Sequence, residues 1–293
     1  MRRALAAAVL AALAAGAADA QATFPGANGR VAYVSGDGGV WTARPDGSFR
    51  RRVIALRGAG DTAWSPDGRR LLVSAGDLFT ASADGRRLRR LARTVAWEYS
   101  ASWSPDMRRV AYLRTERRDH ADGLWTMDAT GGDRTRLTTA RYGSAEWSPD
   151  GRWIAYPWPT GGLGVLDLHR GEARRISPVD HGRVDMSWSP DSEWIAFSQH
   201  EPPQDYICET CPQPLDILAR IRPDGSGYQE LSRTREPRLV EPMWSPDGRR
   251  LAYCAGVGGS YERWTMRSDG SDRRPAWVSG CNGASWQPRR SAR

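Results

Sequence analysis

The chain has 293 residues, of which 40% are hydrophobic and 26% charged, which suffices for the core of one domain. Its net charge is +8, and all 42 basic residues are arginine. This excess favours acidic partners such as anionic glycans or phosphate surfaces, although arginines on solvated strand edges would give the same charge. No segment after residue 20 is long and apolar enough for a transmembrane helix.

Residues 1–20 have the features of a secretory signal peptide. Met1-Arg2-Arg3 is positively charged, and the stretch from Ala4 to Ala15 is apolar but too short to span a bilayer. Ala18-Asp19-Ala20 then supplies small residues before a cleavage site at Gln21. We therefore expect a secreted or periplasmic protein whose folded part is one domain over residues 21–293.

A pentapeptide recurs along the rest of the chain at intervals of roughly 40 residues, a period typical of propeller repeats. It reads Trp-Ser-Pro-Asp followed by Gly, Met or Ser and begins at Trp64, Trp103, Trp147, Trp188 and Trp244, with a degenerate sixth copy at Trp286. In each repeat the Trp ends a short strand A, and Ser-Pro-Asp-Gly forms a turn into strand B. Strands C and D follow, and D is polar and rich in arginine.

The two ends of the chain predict how the ring closes. Asn28–Tyr33, Val40–Ala43 and Arg50–Ile54 read as strands B, C and D with no strand A before them, and Ala284–Trp286 is a lone strand A. The prediction is an all-β, six-bladed propeller with four antiparallel strands per blade. The ring is closed by one blade that takes three strands from the N-terminus and one, strand A, from the C-terminus. The predicted blades cover residues 28–56 with 283–288, 61–92, 101–138, 145–177, 186–232 and 242–279.

This layout resembles the TolB-type propeller, a family of six-bladed modules in bacterial envelopes. The resemblance rests on the Trp-Ser-Pro-Asp copies, on the Asp-Gly turns such as Asp46-Gly47 and Asp84-Gly85, and on the entry Phe24–Arg30. It covers residues 24–288 and implies the fold and an envelope location. It leaves the ligand open.

Propeller topology places the B–C and D–A connections on one face, where they vary in length, and the short A–B and C–D turns on the other. We expect binding on the variable face. The predicted D–A loops include Trp97–Tyr99 and Arg235–Glu241, and the B–C loop of the fifth blade is enlarged, from Gln199 to Asp216. The candidate contact residues there are Glu98, Tyr99, Arg141, Tyr142, His181, Arg183, Arg235 and Arg238. An ordinary solvated loop face is the alternative.

Three acidic residues lie three positions before a motif Trp. Asp61, Asp185 and Glu241 should therefore face the channel, where carboxylates could hold a cation such as Ca²⁺. Capping of strand ends is the preferred interpretation of these positions, and no metal or other cofactor is predicted.

Four cysteines in an exported protein suggest two disulfides. A Cys254–Cys281 bond would brace the closure of the ring, and Cys208–Cys211 would then staple the insertion of the fifth blade. A structural zinc site and a redox-active Cys-x-x-Cys are the alternatives.

The sequence predicts a non-enzymatic binding or scaffold protein, monomeric, whose partner is an envelope or extracellular protein or an acidic glycan. The alternative is a lyase or hydrolase acting on an acidic polysaccharide, with His181 or Tyr142 as base and Arg141, Arg183 or Arg238 holding carboxylates. Glycine motifs of serine hydrolases, phosphate loops and dinucleotide sites are absent, and no nucleic-acid partner is expected.

Overall fold

The computed structural model describes residues 23–115, 122–178, 184–201, 215–235, 238–257, 260–276, 281 and 283–289. In this part of the chain the regular secondary structure consists of strands, and no helix is present. The strands form six sheets of four, in which neighbours along the sheet pair antiparallel. This confirms the predicted six-bladed propeller.

The blades follow one another along the chain. The strands are β1 (Ala27–Val34), β2 (Val40–Ala43), β3 (Arg51–Ile54), β4 (Asp61–Trp64), β5 (Arg70–Ser74), β6 (Leu78–Ser82), β7 (Arg89–Arg90), β8 (Trp97–Trp103), β9 (Arg109–Thr115), β10 (Asp122–Asp128), β11 (Thr135–Thr139), β12 (Glu146–Trp147), β13 (Trp153–Pro157), β14 (Leu163–Asp167), β15 (Glu172–Arg175), β16 (Val184–Trp188), β17 (Ile195–Glu201), β18 (Leu215–Ile221), β19 (Gln229–Thr234), β20 (Arg238–Trp244), β21 (Arg250–Val257), β22 (Ser260–Arg267), β23 (Arg274–Pro275) and β24 (Ser285–Arg289). Blade 1 is β24-β1-β2-β3, and each later blade takes the next four strands.

The last strand closes the ring as predicted. Strand β24 pairs with β1, with Trp286 opposite Val31 and Pro288 opposite Asn28. The Gln287 side chain strengthens the junction, since its oxygen accepts the Arg30 N–H at 3.0 Å and its amide donates to the Gly68 carbonyl of blade 2 at 2.7 Å. Closure removes the exposed sheet edges that an open stack would leave.

The hydrophobic core is divided into six clusters, one at each junction between neighbouring blades. Each cluster contains one motif Trp. Trp103, for example, packs with Leu72 and Leu78 of the preceding blade. Trp188 also donates its indole N–H across a junction to the Glu146 carbonyl at 3.1 Å. The motif Trp residues are all buried, so they serve packing between blades.

The Ser-Pro-Asp-Gly turn is closed by its own side chains. In blade 2 the Ser65 hydroxyl donates to the Asp67 carboxylate at 2.6 Å and accepts the Arg70 N–H at 2.9 Å, while the Gly68 N–H donates to the Ser65 carbonyl at 2.8 Å. Met107 and Ser192 occupy the Gly position with φ of 59° and 63°. The recurrence of the pentapeptide is thus explained by turn chemistry.

The D strands form the outer rim. All four residues of β15 and both residues of β7 are exposed. A disulfide joins Cys254 of β21 to Cys281, with Cα atoms 5.8 Å apart, which is the pairing that the sequence favoured. Cys208 and Cys211 lie outside the described residues.

Candidate binding face

The face that carries the B–C and D–A connections is built partly from strands that sequence reasoning placed in loops. Trp97 to Tyr99 were assigned to a D–A loop but belong to β8, and Arg238 to Glu241 belong to β20. Both strands contain a bulge, at Ser100 and Glu241, whose φ angles are 50° and 54°. The bulge lets the preceding residues continue pairing with strand B, so these two blades reach further toward the binding face.

The same correction applies to the large insertion of blade 5. The predicted loop ran from Gln199 to Asp216, whereas β17 continues to Glu201 and β18 begins at Leu215. Gln199 and Asp216 are buried in these strands. The pairing of His200 with Asp216 and of Glu201 with Leu215 extends the ladder beyond the predicted limits.

Alternation along β8 separates the predicted contact residues into two sides. Glu98 is fully buried, and its carboxylate accepts the Thr94 hydroxyl at 3.1 Å. Burial raises the pKa of Glu98, and burial together with the nearby Glu98 raises the pKa of Tyr112 to about 12. Glu98 therefore points into the blade and not toward a partner on the surface.

Trp97 and Tyr99 lie on the other side of β8, where Trp97 is exposed and Tyr99 is partly buried against the core cluster between blades 3 and 4. Tyr99 stacks on Tyr142 of the neighbouring D–A loop, with ring centroids 5.2 Å apart. Trp97 and Tyr142 are each 48% exposed, and the nearby Val95 is 91% exposed. We call Val95, Trp97, Tyr99 and Tyr142 the aromatic row. Arg141, also exposed, adjoins it.

The remaining predicted contact residues lie apart from the aromatic row. Arg235 and Arg238 are exposed at the junction of blades 5 and 6. The Arg238 guanidinium lies 3.8 Å from the carboxylate of Asp216, which also accepts the Leu239 N–H at 3.3 Å. His181 and Arg183 lie outside the described residues. The structure thus brings Tyr99, Arg141 and Tyr142 together. Arg235 and Arg238 form a second group, at the junction of blades 5 and 6.

The positions three residues before the motif Trp connect successive A strands around the channel. Asp61 accepts the Ser100 N–H at 3.0 Å, and the Ser100 hydroxyl accepts the Ala145 N–H at 2.8 Å. Ser144 accepts the Met186 N–H at 3.0 Å in the same way. Sequence reasoning missed this relay, although the recurrence of Ser and Asp at one repeat position was its signal.

The carboxylates proposed for a cation have protein groups close by. Glu241 lies 3.8 Å from the guanidinium of Arg263, and both side chains are buried. Burial lowers the pKa of Arg263, an effect that Glu241 opposes. Among the described residues no group of three or more His, Cys, Asp or Glu side chains could hold a metal ion.

A cavity of about 510 Å³ opens on the opposite face, between the turns of blades 4 and 5. Arg152 and Arg174 lie 4.6 and 5.6 Å from the Trp153 ring, and they bind the Asp167 carboxylate at 3.2 Å and the Pro223 carbonyl at 2.8 Å. The lining residues are Asp150, Arg152, Trp153, Asp167, Arg170, Glu172, Arg174, Ser192, Glu193, Arg222, Pro223 and Asp224. Sequence reasoning did not find it, although Trp153 and Trp194 stand where other repeats have Arg.

A family model described as the TolB beta propeller domain (PD40) matches residues 23–210. The chain belongs to this family. A segment of 60 residues is 40% identical to the Tol-Pal system protein TolB of Thioalkalivibrio sulfidiphilus (strain HL-EbGR7), over 20% of this chain and 14% of that protein. The matched segment therefore covers only a small part of that curated relative.

Solved structures show the same propeller fold. TolB from Acinetobacter baumannii superposes with a TM-score of 0.71 at 18% identity, over 89% of this chain and 67% of that one. A putative TolB from Agrobacterium tumefaciens gives 0.68 at 20%, over 87% and 90%. An oligogalacturonate lyase in complex with manganese gives 0.59 at 13%, over 87% and 75%. In the described part of this TolB-family chain no helix is long and apolar enough to cross a membrane.

Proposed function

We propose that this TolB-family propeller is a non-enzymatic binding or scaffold protein, secreted or periplasmic, that holds a protein partner through the aromatic row. The observation that carries the proposal is the exposure of Trp97 and Tyr142 on the face formed by the B–C and D–A connections. Large aromatic side chains contribute most of the binding energy in many protein interfaces. Contiguous exposed apolar groups on a soluble protein indicate an interaction site.

The surroundings of the aromatic row support recognition of a protein surface. Tyr99 holds Tyr142 by ring contact, so the exposed ring is positioned before a partner arrives and loses little conformational freedom on binding. Arg141 at the edge adds a polar rim of the kind that surrounds interface cores. The curated relative is named for the Tol-Pal system, which agrees with a role in binding other envelope proteins.

The test is a pull-down from envelope extract with the tagged mature chain. We expect Trp97→Ala with Tyr142→Ala to abolish capture of the specific partner, because the variant lacks the two aromatic rings that would contact it. The variant should still fold, since both rings are about half exposed and contribute little to the core. The control is Tyr261→Ala, which removes an exposed aromatic side chain from β22 of blade 6, away from the aromatic row. Thermal denaturation should give the same midpoint for all three proteins.

Two results would contradict the proposal. The first is a partner captured equally well by the Trp97/Tyr142 variant. The second is cleavage of a uronate polymer by the wild-type protein that is lost in His181→Ala, which would favour the alternative function as a polysaccharide lyase.

A further inference from the structure

The positive charge of the chain is concentrated in one region. Residues 44–94 contain twelve Arg, five Asp and no Glu, a net charge of +7 out of the chain's +8. The following 51 residues, 95–145, contain eight Arg and seven acidic residues and are almost neutral. The excess charge therefore belongs to the C–D turn and strand β3 of blade 1 and to the whole of blade 2.

The fold brings these arginines onto one continuous surface. The C–D turn of blade 2 packs directly on β3 of blade 1. The two backbones are so close that a Cβ added to Gly85 would overlap the Val53 carbonyl. Arg70 lies beside the start of the same turn, opposite Ser82. The arginines that share this corner of the A–B and C–D face, here called the basic corner, are Arg50, Arg51, Arg69, Arg70, Arg86, Arg87 and Arg89, all of them exposed.

Much of this charge is not neutralised within the protein. Arg86 lies 3.5 Å from Asp84, but such an exposed pair contributes little. Arg52 does not belong to the basic corner, because its guanidinium lies 3.7 Å from Asp37 in the B–C turn of blade 1. The side chains of Arg51, Arg69 and Arg87 make no ion pair or hydrogen bond with the described residues. The basic corner thus presents a strong positive potential to solvent.

Two exposed apolar side chains lie within the basic corner. Phe49 is 63% exposed in the C–D turn of blade 1, and Leu88 is 42% exposed at the end of the C–D turn of blade 2. The Arg44 guanidinium lies 3.8 Å from the centre of the Phe49 ring. An acidic polysaccharide would bind the arginines and stack on Phe49, but it would gain little from the aliphatic Leu88. A lipid surface would use the arginines and both apolar side chains, since its phosphates bind cations and its acyl boundary accepts apolar groups.

We propose that the basic corner docks the protein onto an anionic phospholipid surface. The arginines bind head-group phosphates, and Phe49 and Leu88 enter the interface between head groups and acyl chains. This surface lies on the face opposite to the aromatic row, so the protein can be held on a membrane while the aromatic row stays accessible to a partner. The inference does not depend on the proposed partner binding.

The experiment is co-sedimentation of the mature protein with vesicles of phosphatidylglycerol mixed with phosphatidylcholine, and with vesicles of phosphatidylcholine alone. We expect binding to the anionic vesicles only, decreasing as salt rises. Arg51→Gln with Arg69→Gln and Arg87→Gln should weaken binding about tenfold or more, since each arginine near the surface contributes substantially. Phe49→Asn with Leu88→Gln should weaken it several-fold.

The control removes the same charge elsewhere, with Arg170→Gln, Arg249→Gln and Arg274→Gln in blades 4 and 6, and should leave vesicle binding nearly unchanged. Trp97→Ala with Tyr142→Ala should also leave it unchanged, which separates this site from the partner site. The proposal would be overturned if the triple variant of the basic corner and the triple control variant lost vesicle binding equally. So would binding to dextran sulfate without binding to anionic vesicles, since that result indicates a polysaccharide site.

Discussion

Cys254 and Cys281 form a disulfide between the second strand of blade 6 and the segment that leads into the closing strand β24. The two residues are 27 positions apart in sequence, and the loop that they close contains β22 and β23. The bond therefore ties the last complete blade to the strand that completes blade 1. In the unfolded state the bond lowers the conformational entropy of the chain, and in the folded ring it holds blade 6 against the closing strand.

Removing this disulfide should lower the stability of the whole ring. Cys254→Ala with Cys281→Ala is expected to reduce the free energy of unfolding by about 3 kcal/mol, measured by urea denaturation. Dithiothreitol should lower the stability of the wild type by a similar amount and have no further effect on the double variant. Cys208→Ala with Cys211→Ala is the control, and wild-type stability that is insensitive to reductant would contradict the expectation.

The indole hydrogen bond of Trp188 can be separated from the packing of its ring. Trp188→Phe loses ring volume and leaves the buried Glu146 carbonyl without the indole donor, whereas the indole nitrogen of Trp103 has no hydrogen-bond partner within the described structure. We expect Trp188→Phe to be more destabilising than Trp103→Phe by about 1 kcal/mol in chemical denaturation. Equal losses would show that the hydrogen bond does not stabilise the junction between blades 4 and 5.

The contact between blades 1 and 2 at Gly85 is testable with a matched glycine. Gly85 and Gly58 both have left-handed φ, 84° and 77°, but an added Cβ meets the Val53 backbone at Gly85 and nothing within 4 Å at Gly58. Gly58→Ala should cost about 1 kcal/mol from backbone strain alone. Gly85→Ala should cost about 3 kcal/mol, because β3 must also move. Similar melting temperatures for the two variants would argue against this close approach.

The buried carboxyl of Glu98 predicts a pH dependence of stability. Burial raises its pKa in the folded state, so the folded protein holds this proton more tightly than the unfolded chain, whose value is near 4.5. The stability that Glu98 contributes is thus fully present below pH 4.5 and is lost as pH rises through the folded-state pKa. Glu98→Gln should therefore gain in stability relative to wild type as pH increases over this range.

Denaturation of both proteins at a series of pH values between 4 and 8 would measure the difference. A difference that stays constant, or that favours wild type at higher pH, would show that the folded state prefers the ionised form. Thr94→Val, which removes the hydroxyl that donates to Glu98, should enlarge the pH effect, because that hydrogen bond lowers the pKa.

Sequence reasoning predicted the location of the binding residues less well than the fold. Trp97, Glu98 and Tyr99 form one predicted loop segment, yet the structure buries the Glu98 carboxyl, partly buries the Tyr99 ring and exposes the Trp97 ring. That separation depends on the pairing of β8 with β9 and on the bulge at Ser100, which set the direction of each side chain. A bulge at a non-glycine residue has no clear sequence signal, so the extent of strands β8 and β20 was misjudged.

The amino-acid sequence by itself determined the number of blades, the position of the A–B turns and the closing partnership of β24 with β1. These follow from short-range chemistry, since Ser, Pro, Asp and Gly close each turn through neighbours a few residues away and the pattern repeats. Only the tertiary structure decided which side chains share a surface. Tyr99 and Tyr142 come together through the packing of one blade on the next, and no local stretch of the sequence specifies that contact.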